Sequence, residues 1–90
     1  MTELDEFYLV VKYPVVTEKS ILMIERENKI TVIVDRHVNK PRIKKVIEEK
    51  FGVKVKKVNT LITPHGEKKA IVTFENVDDA IKVATTLGIL

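Results

Sequence analysis

Residues Val53–Val72, VKVKKVNTLITPHGEKKAIV, decide the fold because they have the pattern of two β-strands joined by a tight turn. The first arm is rich in β-branched and aliphatic residues, which is typical of a strand. In the second arm, Ala70 and Val72 recur at every second position, the period of a half-buried strand. Between the arms, Pro64 presets a turn angle and Gly66 adopts a positive φ without penalty. The stretch therefore predicts a β-hairpin.

The predicted hairpin is dense in positive charge. Its cations are Lys54, Lys56, Lys57, Lys68 and Lys69. A hairpin with one buried apolar face and lysines on its exposed face and tip indicates a surface for a polyanion.

The positive charge of the whole chain is concentrated around this hairpin. The net charge is +3, but residues 36–69 contain eleven Lys or Arg and three Glu, a net of +8. Residues 1–35 have a net charge of −3 and residues 70–90 a net charge of −2, which completes the sum. Such a distribution is typical of a nucleic-acid-binding domain, and the alternative is a solvated lysine-rich surface.

Length and composition limit the remaining possibilities. Ninety residues predict a single domain, residues 1–90, and leave open whether the acidic residues 1–6 are ordered. The absence of cysteine excludes a disulfide framework, a thiolate nucleophile and a cysteine metal site. No apolar run is long enough for a membrane span, and the acidic N-terminus lacks the features of a signal peptide. We therefore expect a cytoplasmic protein with no membrane partner.

The first half of the chain predicts two strands and two helices around this hairpin. Residues 7–13 alternate as a first strand, which Pro14 ends. Thr17 is a suitable N-cap for a helix that extends to about residue 27. Residues 29–35 alternate as a second strand, and Asn39 caps a second helix that ends before Gly52.

The second half adds an irregular strand and a last helix. In the third strand, the apolar positions that face inward change from odd to even residue numbers near Lys56 and Lys57. This change predicts a β-bulge with both lysines pointing outward. Asp78 or Asn76 caps the last helix. The resulting order is β-α-β-α-β-β-α, an α+β fold with three helices and a mainly antiparallel four-stranded sheet. Apolar residues on the face opposite the core, namely Val10, Ile33 and Ile71, predict that one helix covers that face.

Patterns for catalysis, metal binding or cofactor binding are absent from the sequence. There is neither a GxGxxG nor a GxxxxGK[ST] motif, and His37 and His65 lie in predicted loops without obvious partners. We therefore predict no catalytic residue, no metal ligand, no cofactor and no enzymatic activity. The middle strands also lack the aromatic residues on which an RNA-recognition motif stacks bases.

The hairpin motif VNTLITPHGEKKA and the earlier motif YPVVTEKS resemble the universal large-subunit ribosomal protein of the polypeptide exit tunnel, the L-twenty-three family. The similarity covers residues 8–89, and VDRHVNK followed by a basic helix also fits it. The VNTLI-x-P-x-GEKKA pattern resembles the archaeal and eukaryotic branch more than the bacterial one. The chain also departs from bacterial members, which have a long hairpin extension, because only residues 63–69 separate the strands here.

The resemblance implies a structural, ribosomal role in the cytoplasm. It implies binding to large-subunit (23S-type) rRNA, contact with neighbouring ribosomal proteins, and a position at the tunnel rim near docking sites for the signal recognition particle and other nascent-chain factors. Cations would neutralise phosphates, and uncharged side chains would bind 2′-hydroxyl and backbone groups. The candidate rRNA-binding residues are Lys40, Arg42, Lys44, Lys45, Lys54, Lys56, Lys57, Asn59, Thr60, Thr63, His65, Lys68 and Lys69. For Asn59, Thr60 and Thr63, cross-strand pairing and turn capping are the alternative roles.

The first predicted helix contains a candidate docking patch. Ile21, Met23 and Ile24 share a broad arc, whereas Leu22 lies on the opposite side, one turn after Glu18. The family's TEK-type motif opens the helix associated with factor docking, and Glu18 is its matching glutamate. Glu18 and Leu22 are therefore the predicted docking residues, with coverage of Leu22 by rRNA or by the sheet as the alternative.

Two other functions are compatible with an α+β fold. One is a free-standing ferredoxin-like regulatory or ligand-binding module. The other is a hydrolase of the acylphosphatase kind, which requires a glycine-containing phosphate loop with an arginine just after the first strand. Residues 14–17 read PVVT at that position, so the sequence disfavours the hydrolase.

Overall fold

A computed structural model describes residues 5–90, and the prediction for residues 1–4 lies outside this part. The elements are α1 Glu6–Val10, β1 Val11–Pro14, α2 Glu18–Glu27, β2 Lys29–Val34, α3 Lys40–Phe51, β3 Val55–Ile62, β4 Lys68–Phe74 and α4 Asp79–Thr86. The four strands form one sheet in the order β1-β2-β4-β3, and every neighbouring pair is antiparallel. The predicted α+β class with an antiparallel four-stranded sheet is confirmed.

The N-terminus differs from the prediction. The first strand begins at Val11 rather than at residue 7, because the preceding residues form the short helix α1. The Asp5 carboxylate accepts a hydrogen bond of 2.9 Å from the backbone N–H of Phe7 and so caps this helix. The Phe7 ring then packs edge-on against Phe51 of α3, with 5.3 Å between the ring centroids. Packing against α3 therefore favours a helix where the alternating pattern predicted a strand.

The hydrophobic core lies on one face of the sheet, which we call the core face. Alternate strand residues point to this face and are almost completely buried: Ile30, Val32, Val34, Val55, Val58, Ala70, Val72 and Phe74. Ile43, Val46 and Ile47 of α3 join this core with the spacing of an amphipathic helix. From α4, Ala80, Val83 and Ala84 also belong to it. Val10 also belongs to this core, so its predicted place on the other side of the sheet is wrong.

The other side of the sheet, which we call the opposite face, is only partly covered. Thr31 and Ile33 are buried there, while Ile71 is half-buried. Ser20 and Met23 of α2 line a shallow groove together with Thr31 and Ile71, so α2 lies over part of this face.

The hairpin has the predicted bulge and turn. The pairing of β3 with β4 shifts between Val55 and Lys57, which leaves Lys56 without a partner in the ladder. In the turn, Gly66 has φ +83°, and its backbone N–H donates a hydrogen bond of 2.9 Å to the carbonyl oxygen of Thr63. Only residues 63–67 separate the two strands.

The last helix is held by a residue that the sequence did not single out. Asp78 occupies the N-cap position of α4, but its side chain makes no capping hydrogen bond. The Asn28 side-chain oxygen instead accepts a hydrogen bond of 2.9 Å from the backbone N–H of Ala80. The Asn28 side-chain N–H₂ group donates to the carbonyl oxygens of Phe74 and Asn76, at 3.2 and 2.7 Å.

Candidate nucleic-acid interface

A groove between the start of α3 and the bulge of β3 brings four candidate lysines together. We call it the lysine groove; it has a volume of about 360 Å³ and is lined by Lys40, Pro41, Lys44, Lys56, Lys57 and Val58. The Asn39 side chain caps α3 through a hydrogen bond of 3.1 Å from the N–H of Arg42. Lys40 and Lys44 are one turn apart and so share a helix face.

The lysine groove is strongly electropositive. Its four lysines are exposed, and no carboxylate lines it. Within residues 5–90, the ion pairs are those of Lys29 with Glu27, Arg42 with Glu6 and Lys50 with Asp5, so none of the four groove lysines is neutralised by a near carboxylate. Since ammonium groups at this density repel one another, a phosphate-bearing ligand would relieve a local charge imbalance.

Arg42 is engaged elsewhere, although it was predicted to bind rRNA. Its guanidinium lies 2.9 Å from a carboxylate oxygen of Glu6. Farther along α3, the Lys50 ammonium lies 2.7 Å from the Asp5 carboxylate and 4.9 Å from the centroid of the Tyr8 ring. The hydrogen bond between Asp5 and Lys50 lowers the pKa of the carboxyl group and raises the pKa of the ammonium group. Glu6 of α1 and its N-cap residue Asp5 thus each neutralise one cation of α3.

The adjacent candidates Lys68 and Lys69 lie in different surroundings. The half-buried Lys68 donates a hydrogen bond of 2.6 Å to the carbonyl oxygen of Val38. Lys69 pairs with Ile33 and Leu61 in the sheet and lines grooves on the opposite face. The two lysines therefore do not form one phosphate-binding pair.

The remaining candidates are spread around the hairpin and α3. Lys45, Lys54, Asn59 and His65 are exposed, and none of them lines the lysine groove. Thr60 is half-buried beside its partner Ala70 on β4. The Thr63 hydroxyl accepts a hydrogen bond of 3.2 Å from the Glu67 N–H, which is the turn-capping alternative. The structure thus gathers only four of the thirteen candidates into one groove.

The predicted docking residues are both accessible. Glu18 is exposed in the first turn of α2, and Leu22 is 38% exposed one turn later. Ser20 and Ile24 are buried, and Ile21 and Met23 are half-buried, so Leu22 lies on the outer side of α2 as expected. The helix start is rigidly capped, because the Thr17 and Ser20 side chains each accept a hydrogen bond from the other's backbone N–H.

A second groove, which the sequence did not predict, crosses the opposite face. We call it the apolar groove. Its larger part, about 460 Å³, is lined by Tyr13, Pro14, Val15, Val16, Ile33, Leu61, Thr63, Pro64, His65, Glu67 and Lys69. Over this groove, the Tyr13 hydroxyl donates a hydrogen bond to the Glu67 carboxylate, which raises the pKa of Tyr13 above its ordinary value. Its walls come from segments far apart in the chain, so no local pattern could have signalled it.

Neither a metal-binding cluster nor a membrane-spanning helix is found among the described residues. In residues 5–90, no three His, Cys, Asp or Glu side chains are clustered so that they could hold a metal ion. Among the described helices, none combines the length and the apolar character that crossing a bilayer would require.

A family model and two curated proteins that are similar to this chain point to the same family. A family model described as "Ribosomal protein L23" matches residues 9–87. A "Large ribosomal subunit protein uL23" of Pyrobaculum aerophilum is 50% identical over 80 residues, which cover 89% of this chain and 99% of that protein. A protein of the same description from Methanococcus aeolicus is 44% identical over 80 residues, covering 89% of this chain and 93% of that protein.

Proposed function

This chain belongs to the ribosomal protein L23 family, and from that premise we propose that it binds large-subunit rRNA through the lysine groove. It is a structural constituent of the large ribosomal subunit rather than an enzyme, and it acts in the cytoplasmic ribosome in association with rRNA and other ribosomal proteins. The free-standing module and the hydrolase are therefore set aside. The observation that carries the rRNA proposal is the convergence of Lys40, Lys44, Lys56 and Lys57.

The proposed contact is electrostatic and depends on backbone shape. Each ammonium group that neutralises a phosphate releases a condensed counterion, which favours binding at low salt. The deep groove of A-form RNA is closed to side chains, so phosphate and 2′-hydroxyl contacts carry the interaction instead of base edges. A strand and a capped helix fix the backbone positions of the four lysines, so binding does not have to order these backbone segments.

The salt dependence of binding tests this proposal. With about four to six phosphate contacts, the slope of log K against log salt should be roughly −3 to −6. Changing Lys56 and Lys57 together to Ala should flatten this slope by about two units. The measurement is the binding of a large-subunit rRNA fragment between low and moderate salt.

A charge-matched control distinguishes the contribution of the lysine groove to binding from that of the overall charge. Lys12 and Lys82 are exposed and line none of the grooves described above. Changing both to Ala removes the same two charges, so affinity should fall only slightly and the slope should change by less than about one unit. Equal slopes for the two double variants would refute the lysine groove as the rRNA contact.

We further propose that this protein lies at the rim of the exit tunnel, where Glu18 and Leu22 bind nascent-chain factors such as the signal recognition particle. The support is the resemblance of the TEK motif together with the exposure of both side chains on a rigidly capped helix. Glu18 is placed to meet a cation of the factor, and Leu22 supplies a small apolar contact next to it.

Ribosomes that carry a charge reversal test the docking proposal. Glu18→Lys should weaken binding of purified signal recognition particle by roughly 1–3 kcal/mol, because a desolvated ion pair becomes a repulsion. Glu75→Lys is the control, since Glu75 is an exposed carboxylate outside α2. Unchanged affinity for both Glu18→Lys and Leu22→Ala would exclude this patch as the docking site.

A further inference from the structure

We infer that the apolar groove on the opposite face binds an apolar segment of a neighbouring protein in the large subunit, and that this segment carries a carboxylate next to its apolar side chains. The inference rests on the proposed place of the chain in that subunit. It concerns a surface that shares no residue with the lysine groove.

The size and composition of the apolar groove set it apart from scattered surface residues. Tyr13, Val16 and Leu61 are 45%, 56% and 46% exposed, yet they line one depression whose floor is the buried Ile33. A smaller groove continues it toward α2 and shares Val15, Leu61 and Lys69 with it. Contiguous exposed apolar surface of this kind is typical of interaction sites, whereas single exposed apolar residues are normal.

The walls of the groove fit a polypeptide better than RNA. RNA binds through its phosphates, its 2′-hydroxyl groups and the stacking of bases on aromatic rings. Thr63, His65 and Lys69 also line the apolar groove, but most of its walls are aliphatic, and the ring of Tyr13 is itself tied to Glu67. Apolar side chains of a protein segment gain from burial in such a depression, which is the usual anatomy of an interface core.

The rim of the groove determines the charge of the segment. Lys69 borders both parts of the groove, and Lys19 borders the smaller part. Within residues 5–90, neither ammonium group forms an ion pair. The one carboxylate of the rim, Glu67, already accepts a hydrogen bond from the Tyr13 hydroxyl. The rim is therefore electropositive, and a carboxylate beside the apolar anchor of the partner is complementary to it.

The arrangement also separates the two kinds of partner in space. The lysine groove lies between α3 and the bulge of β3, while the apolar groove lies between the end of β1, the hairpin turn and α2. RNA and a protein segment can thus occupy the same molecule together.

Site-specific crosslinking in purified large subunits tests the inference. A chain with p-benzoylphenylalanine in place of Leu61 is incorporated into subunits, irradiated and digested, and the attached product is identified by mass spectrometry. We expect a crosslink to one polypeptide segment that contains apolar residues and at least one Asp or Glu. The same photoprobe in place of Val77, an exposed residue that borders neither groove, should not label that segment.

A zero-length carbodiimide crosslink tests the charge of the segment separately. This reagent joins an ammonium group to a carboxylate that it already contacts, so Lys69 or Lys19 should become linked to an Asp or Glu of the same segment. The Lys69→Arg variant keeps the positive charge but cannot form the amide, so the Lys69 link should disappear while the photocrosslink from residue 61 persists.

The outcomes distinguish this inference from the proposed function. Crosslinks to rRNA, to a segment without a carboxylate, or to no molecule at all would overturn the inference while the subunit assignment stands. If the photoprobe at Leu61 prevents incorporation, the same photoprobe at Val16, on the same groove, decides. If the unmodified chain itself does not sediment with large subunits, the proposed function fails and the inference fails with it.

Discussion

Lys68 connects the hairpin to the segment before α3, because its ammonium group donates a hydrogen bond of 2.6 Å to the backbone carbonyl oxygen of Val38. Lys69, the next residue, lines grooves on the opposite face of the sheet. Successive side chains of a strand point to opposite sides, so two lysines that look equivalent in the sequence have different roles. Lys68 has a structural contact, and Lys69 is available for a partner.

This difference predicts unequal effects of two equivalent substitutions. Lys68→Ala should lower the free energy of unfolding by about 1–2 kcal/mol, because the Val38 carbonyl loses a charged hydrogen-bond donor in a half-buried position. Lys69→Ala should change it by less than about 0.5 kcal/mol. Urea denaturation followed by circular dichroism measures both values, and equal values would contradict the assignment.

The sequence predicted local features of the fold better than distant contacts. The caps Thr17 and Asn39, the positive φ of Gly66 and the bulge at Lys56 all depend on residues close in the chain, and the structure has each of them. The first strand was placed too early because alternation before Val11 also fits a short helix. The Asp5 cap is a local signal for the helix, and the contact of that helix with α3, far along the chain, adds to it.

The same reasoning explains the outcome for the candidate site. The lysine groove was partly predictable, since the spacing of Lys40 and Lys44 and the bulge are local features. The contacts of Arg42 and Lys68 within the protein could not be predicted from sequence alone, because their partners Glu6 and Val38 are distant in the chain. The apolar groove could not be predicted either, because its walls come from segments that are distant in the chain.

The contacts of Asn28 predict that this one polar side chain has a large effect on the stability of the protein. It adopts a left-handed conformation with φ 56° at the end of α2, and its side chain makes three hydrogen bonds to backbone groups around the start of α4. Asn28→Gly should destabilise the protein by about 1–3 kcal/mol, because the hydrogen bonds are lost but the backbone remains unstrained. Asn28→Ala should cost about 1 kcal/mol more, since alanine disfavours this conformation.

Denaturation midpoints of the two Asn28 variants separate these contributions. If Asn28→Gly is as stable as the parent protein, the side-chain hydrogen bonds contribute nothing measurable. If Asn28→Ala and Asn28→Gly are equally stable, the left-handed backbone is not maintained in solution.

The hairpin turn predicts a purely conformational cost at Gly66. Its φ is +83°, and a Cβ atom added there would contact no other atom within 4 Å. Gly66→Val should therefore lower the free energy of unfolding by about 1–3 kcal/mol through backbone strain rather than through a clash. Gly66→Asn is the matched control and should cost less, because asparagine tolerates the left-handed region. Wild-type stability of Gly66→Val in thermal unfolding would disprove the turn geometry.

The hydrogen bond between Tyr13 and Glu67 predicts a pH dependence at the edge of the apolar groove. The Tyr13 hydroxyl donates to the Glu67 carboxylate, and ionisation would remove this hydrogen bond and place two negative charges together. The hydrogen bond, followed by desolvation, therefore raises the pKa of Tyr13 above its ordinary value of 10.0. Because the folded protein holds this proton more tightly than the unfolded chain, the stabilisation is fully present below the unfolded pKa. It is lost as the pH rises through the folded pKa.

Absorbance titration of the phenol group measures this shift directly. In the Tyr8→Phe variant only Tyr13 titrates, and its midpoint should lie above 10.0 while circular dichroism shows that the chain remains folded. Adding Glu67→Gln should move the midpoint down toward the ordinary value, because the amide still accepts a hydrogen bond but carries no charge. A midpoint that is the same with Glu67 and with Gln at this position would show that the two side chains do not interact in solution.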